Sequence, residues 1–184
     1  MQLNHPDIQE VLVTADQIQE RVAELATEIS EFYKDKEVLL LGILKGAVPF
    51  MADISRALSI PVQQDWMAVS SYGSGTVSSG VVRILKDLDV DIKDRHVLIV
   101  EDIIDSGLTL SWLTSNLKAR GAASVEIVTL LRKPEAAKVK IAVRWVGFDI
   151  PNAFVLAMGS TTTSTTDPWT ALAFFRPRFM SKGF

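Results

Sequence analysis

Apolar residues recur every three or four positions from Asp16 to Tyr33, where Ile18, Val22, Leu25, Ile29 and Phe32 mark one face of an amphipathic helix. Thr14 or Asp16 is available as its cap. Glu37 to Leu44 drops that period for a Leu/Val run, which predicts a buried strand ending at Lys45-Gly46. A second helix is expected from about Val48 to Leu58, then a strand from Val62 to Ser71. Tyr72 to Gly80, YGSGTVSSG, carries too little apolar surface to pack by itself and reads as a loop. The alternation resumes with strand Val81 to Leu85, strand His96 to Val100, helix Leu108 to Arg120 and strand Val125 to Leu131. Such βα alternation predicts an α/β fold in which a central, mostly parallel sheet is flanked by helices and ligands sit at the strands' carboxyl ends.

Composition narrows the chemistry. With 184 residues, 48% hydrophobic and 22% charged, the chain suits one globular domain over residues 1–184, and no linker or repeat divides it. A net charge of −3 argues against a broad basic nucleic-acid footprint. The absence of cysteine excludes disulfides, thiolate catalysis and cysteine zinc sites. His5 and His96 form no metal-ligand spacing. The N-terminal MQLNHPDIQEVLVT lacks the basic and apolar regions of a signal peptide, and no apolar run approaches membrane-spanning length. A cytoplasmic protein is therefore expected.

The most informative stretch is Val97 to Leu110, VLIVEDIIDSGLTL. A buried strand delivers Glu101 and Asp102 at its carboxyl end, and Asp105, Ser106, Gly107 and Thr109 follow on a polar turn before a helix. Amides at such a helix start lack intrahelical partners and can cradle a phosphate. Asp105 or Ser106 could equally cap the helix. Two carboxylates beside a phosphate site suit a ligand that also carries hydroxyls or a metal, such as a phosphorylated sugar.

This segment resembles the phosphoribosyl pyrophosphate (PRPP) signature of type I phosphoribosyltransferases, and EDIIDSGLT is most similar to their hypoxanthine-guanine branch. The resemblance implies that Glu101 and Asp102 hold the ribose hydroxyls, directly or through Mg²⁺. It implies a PRPP and 5′-phosphate site that also includes Ile104, Asp105, Ser106, Gly107, Leu108 and Thr109, with Asp105 accepting the purine N7 proton. It further assigns pyrophosphate to Lys45 and Gly46, often with a non-proline cis peptide before the lysine. Ser71 and Tyr72 would begin a flexible lid that excludes water from an oxocarbenium-like transition state. Lys133 matches the family lysine that donates to the purine O6, which favours an oxo over an amino purine. In the segment Trp145 to Val155, Phe154 would stack on the base, the backbone near Val155 would read its edge, and Ile103 would pack opposite. Trp145, Phe148 and Ile150 are expected in the core.

The family pattern is followed from about Tyr33 to Leu156 and then stops. The family continues with Gly-Tyr-Gly-Leu-Asp-Tyr and an Arg that contacts pyrophosphate, whereas this chain has Ala157-Met158-Gly159-Ser160 and a Ser/Thr run. A plausible set of codons for AMGSTTTSTTDPW, shifted in frame with one lost G restored, reads GYGLDYDEHYRSM. Residues 157–184 are therefore expected to be an out-of-frame translation of the family's C-terminus.

The implied activity is transfer of the 5-phosphoribosyl group from PRPP to hypoxanthine or guanine, by a homodimer or homotetramer without nucleic-acid or membrane partners. The alternatives are a non-catalytic or weakly active nucleotide-binding regulator on the same fold, since fold does not fix function, and a transferase for another base such as xanthine. Sequencing the gene tests the tail: a homologous reading frame should overlap codons 157–184, and an intact frame with no such overlap would overturn the frame-shift reading.

Overall fold

The computed structural model describes residues 8–71, 82–152, 155–156 and 171–175. β1 (Ile8–Thr14) leads into α1 (Ala15–Phe32), β2 (Val38–Leu44), α2 (Val48–Ala57), β3 (Val62–Ser71), β4 (Val82–Lys86) and β5 (His96–Ile104). Then come α3 (Leu108–Ala119), β6 (Ser124–Arg132), a 3₁₀ turn at Pro134–Ala136, β7 (Trp145–Asp149), β8 (Val155–Leu156) and β9 (Ala171–Phe175).

Six strands form the main sheet in the order β4-β3-β2-β5-β6-β7. All neighbouring pairs are parallel except β3 and β4. The chain moves outward from β2 to β3 on one side and from β5 to β6 on the other. The crossover direction therefore reverses between β2 and β5, where an α/β sheet opens a crevice at its carboxyl edge. A separate sheet joins β1, β9 and β8 in antiparallel fashion. The sequence pattern did not anticipate β1 or this pairing with the tail.

Both faces of the main sheet are covered. Val38 and Leu40 of β2 and Leu98 and Val100 of β5 join the helix residues Ile18, Val22, Leu25, Ile29, Phe50 and Ile54 in one core cluster. The alternate residues Leu39, Leu41, Val97 and Ile99 join Leu110, Leu113 and Leu117 of α3 in another. The two-residue alternation of a strand thus serves two apolar layers, which is why both runs read as continuously hydrophobic.

Helix boundaries follow local chemistry. Thr14 caps α1 through a box in which its hydroxyl accepts from the Gln17 amide and the Gln17 side chain accepts from the Thr14 amide. At the other end Phe32 departs from expectation and is 38% exposed, while Tyr33 is fully buried. Tyr33 lies four residues beyond Ile29 and so continues the buried stripe. The exposed Phe32 ring instead carries the Arg144 guanidinium 4.4 Å from its centroid. Trp145 and Ile150 are core residues, and Phe148 packs against them from a half-buried position.

Leu98 is fully buried at the centre of the sheet, paired laterally with Leu40 and Glu126. Leu98→Ala should lower the unfolding free energy by about 2–5 kcal/mol, read from chemical denaturation.

Candidate active site

β5 runs further than its apolar core suggests. Its pairing with β2 ends at Gly42 and Val100, but its ladder with β6 continues to Ile104 and Arg132. Glu101, Asp102, Ile103 and Ile104 therefore belong to the strand rather than to the turn. Held on one side only, this overhanging end borders the crevice. A cavity of about 280 Å³ lies there, lined by Glu101, Ile103, Ile104, Asp105, Ser106, Gly107 and Thr109. Ile43, Leu44, Val69 and Leu110 complete its wall.

The sequence had marked Leu44 only as part of the Leu44-Lys45-Gly46 strand end and Leu110 only as an apolar helix position, and had not singled out Ile43 or Val69. Their only signal was position: Ile43 and Leu44 end β2, and Leu110 lies in the first turn of α3. Asp102, Lys45, Gly46, Leu108 and Lys133 do not line the cavity. Lys45 and Gly46 follow β2, and the Leu44-Lys45 peptide is cis. Gly46 lies directly against Asp102, where an added Cβ would come within 2.7 Å of the carboxylate carbon. Lys133 follows β6, and its amide donates to the Ile104 carbonyl at 2.9 Å. Phe154 and Tyr72 lie outside the described residues, and for Ser71 and Val155 only the backbone is described.

Neither Asp105 nor Ser106 serves as the N-cap of α3. That position falls to Gly107, at φ 79°, with no side-chain cap bond. The Ser106 hydroxyl accepts only a long contact from the Leu108 amide, at 3.5 Å. The helix start thus presents amide groups and the positive end of its dipole toward the cavity side, as an anion requires.

The carboxylates are held in unfavourable surroundings. Burial, reinforced by the neighbouring Asp102, pushes the Glu101 carboxyl well above the ordinary range. Although the residue as a whole retains some exposure, Glu101 Oε2 is enclosed and has no hydrogen-bond partner among the described residues. Burial also raises Asp102, opposed by hydrogen bonds from the Ile103 amide and its own. The Ile103 bond measures 2.9 Å. Such a pair is suited to a ligand that supplies hydroxyl donors or positive charge.

Residues 12–161 match the model of the phosphoribosyl transferase domain. The chain belongs to the phosphoribosyltransferase family. It is 57% identical over 159 residues to the hypoxanthine-guanine phosphoribosyltransferase of Mycobacterium avium, a match covering 83% of this chain and 78% of that relative. The corresponding Bacillus subtilis protein is 50% identical over 153 residues, covering 83% and 85%. A solved hypoxanthine phosphoribosyltransferase from Staphylococcus aureus aligns with a TM-score of 0.90 at 36% identity, over 98% of this chain and 100% of that one. The phosphoribosyltransferase model ends five residues after Leu156, where the sequence pattern departs.

In this phosphoribosyltransferase the raised Glu101 pKa has a defined stability sign. The folded chain holds a proton there that the unfolded chain releases, so Glu101 penalises folding increasingly as pH rises from the ordinary glutamate value through its folded one. Glu101→Gln should therefore raise the Tm of the ligand-free chain at about pH 8 and change it much less at about pH 5, as read by calorimetry.

Proposed function

We propose that the chain transfers the 5-phosphoribosyl group from PRPP to N9 of hypoxanthine or guanine, giving IMP or GMP and pyrophosphate in purine salvage. The observation that carries this reading is the cavity at the end of β5, where Glu101, Ile103, Asp105, Ser106, Gly107 and Thr109 converge. Relatives bearing the hypoxanthine-guanine name support the choice of base.

In this reading the uncapped start of α3 receives the 5′-phosphate, with the Ser106 and Thr109 hydroxyls adding donors. Glu101 and Asp102 face the ribose hydroxyls. Lys45 and Gly46 bind the pyrophosphate, and the glycine lets this segment sit directly against the Asp102 carboxylate, which a Cβ would strike. The bond from C1′ to pyrophosphate breaks as the bond from C1′ to N9 forms, and Asp105 takes the proton released from N7. Lys133 donates to O6, and Ile103 packs against the base. Placing a cationic donor at O6 disfavours an amino purine, whose own donor would face it.

The residues present fit Mg²⁺. Among the described residues no group of three or more His, Asp or Glu is placed to hold a metal ion, and Mg²⁺ is commonly bound by only one or two carboxylates together with substrate phosphates and water. Glu101 and Asp102 would hold it, and Glu101 Oε2 offers an enclosed acceptor. Bound there, Mg²⁺ supplies charge neutralisation for the pyrophosphate. A cytoplasmic homodimer or homotetramer belongs to the same reading; among the described residues no helix is long and apolar enough to cross a membrane. An out-of-frame tail from residue 157 to 184 also belongs to it, and the missing Asp and Arg should slow turnover.

The test is pyrophosphate release with PRPP, Mg²⁺ and each purine in turn. Release is expected with hypoxanthine or guanine and not with adenine, and release with xanthine alone or with no base would overturn the assignment. Asp105→Asn should lower kcat by about a hundredfold or more and leave the PRPP KM within about threefold. An equal effect on both parameters would remove Asp105 from the role of base.

A further inference from the structure

The segment after β6 touches the Asp105 turn at three points. The Lys133 amide donates to the Ile104 carbonyl at 2.9 Å, and the Lys138 amide donates to the Ser106 carbonyl at 2.9 Å. These acceptors are the residues immediately before and after Asp105. Between the two donors the chain makes its 3₁₀ turn over Pro134–Ala136, closed by the Ala136 amide on the Lys133 carbonyl at 3.1 Å. This short turn fixes the separation of the two donors.

The third point is apolar. Gly107 has a positive φ of 79°, and an added Cβ would lie 2.8 Å from Ile141 Cδ1 and 3.3 Å from Val139 Cγ2. Ile141 therefore packs directly onto the Cα face of the N-cap residue of α3, and its side chain also joins the apolar layer beneath that helix. Asp105 itself is exposed. Its backbone position is thus set by its neighbours rather than by burial.

We propose that Lys133–Ile141 is a bracket that fixes the Asp105 turn and the amides at the start of α3, with the Lys138 backbone N–H and the Ile141 side chain as its positioning groups. The bracket also links the two halves of the site proposed above, on which its functional consequence rests. Its first residue is the lysine assigned to the purine, and its last part braces the turn assigned to the 5′-phosphate. Neither positioning group needs to touch substrate.

The experiment compares Lys138→Pro, which removes the donor, with Lys138→Ala, which keeps it and removes only the side-chain charge. Ile141→Ala probes the apolar contact in a separate variant. Amide hydrogen exchange over Asp105–Thr109 is read in the ligand-free chain, alongside kcat and KM for PRPP and purine and the Tm of each variant. Exchange should accelerate in Lys138→Pro and Ile141→Ala but not in Lys138→Ala. The PRPP KM should rise by about five- to tenfold in the first two, in line with the loss of one net hydrogen bond or a comparable contact. Lys138→Ala should stay within about twofold. If Lys138→Pro fails to fold, Ile141→Ala decides by the same measurements. Unchanged exchange in Ile141→Ala, or an equal loss of PRPP binding in Lys138→Ala and Lys138→Pro, would overturn the bracket. A wild-type chain that releases no pyrophosphate with any purine overturns the functional reading instead, and the exchange data still decide whether the turn is held in this way.

Discussion

β5 pairs on both sides along its apolar half and on one side along its polar half, and this asymmetry shapes the rest of the molecule. Through Val100 it is locked between β2 and β6 in parallel register, with side chains buried on both faces. Past Val100 the β2 ladder ends while the β6 ladder goes on to Ile104. The sheet splits at the point where the crossovers reverse direction. The cavity occupies that split, so a strand anchored by about as much apolar contact as a core can offer carries polar groups into an opening it does not have to fill.

Those polar groups are placed against their own solvation preferences. Glu101 carries a carboxylate oxygen enclosed without a partner among the described residues, and burial opposes its ionisation. Asp102 is less severely placed because backbone amides donate to it. α3 begins without a side-chain cap, although Ser106 is close enough to have supplied one. A domain optimised only for stability would pair or remove these groups. Their unfilled hydrogen-bonding capacity matches a ligand that brings phosphate, hydroxyls and a divalent cation together. PRPP, the substrate of the proposed reaction, carries the phosphate and the hydroxyls.

Rigidity around the site comes from elements that carry none of the chemistry. The Gly42 Cα face lies under the Trp66 ring, and Gly147 lies against the Leu130 carbonyl, so β2, β3, β6 and β7 approach closely behind the crevice. Arg132 forms a two-pronged pair with Asp149 at 2.7 and 2.9 Å, and the Ile150 amide donates to the Arg132 carbonyl at 2.8 Å. These contacts hold the end of β6, from which Lys133 and the segment bracing the Asp105 turn both extend. Precise placement thus passes from the packed sheet to an exposed turn through backbone hydrogen bonds.

The periodicity of apolar residues determined the helices α1, α2 and α3 and the buried strands to within a few residues, because each buries a stripe or run that local sequence displays. The signature after Val100 identified the family, since its acidic pair, glycine and hydroxyls all lie between Glu101 and Thr109. Other features were invisible at that level. Tyr33 rather than Phe32 faces inward because the helix ends where the buried stripe continues. Among the described residues β1 pairs with β9, more than 150 residues away, and no local pattern encodes a pairing across that separation. The extension of β5 to Ile104 depends on β6 alone, so the apolar run ending at Val100 did not show that the strand continues through Glu101, Asp102, Ile103 and Ile104. Ile43, Val69 and Ile141 read simply as apolar residues. Sequence determined which chemical groups are available at the end of one strand. Tertiary structure decided how they are spaced, because hydrogen-bond register and packing between distant segments fix distances that residue identity does not.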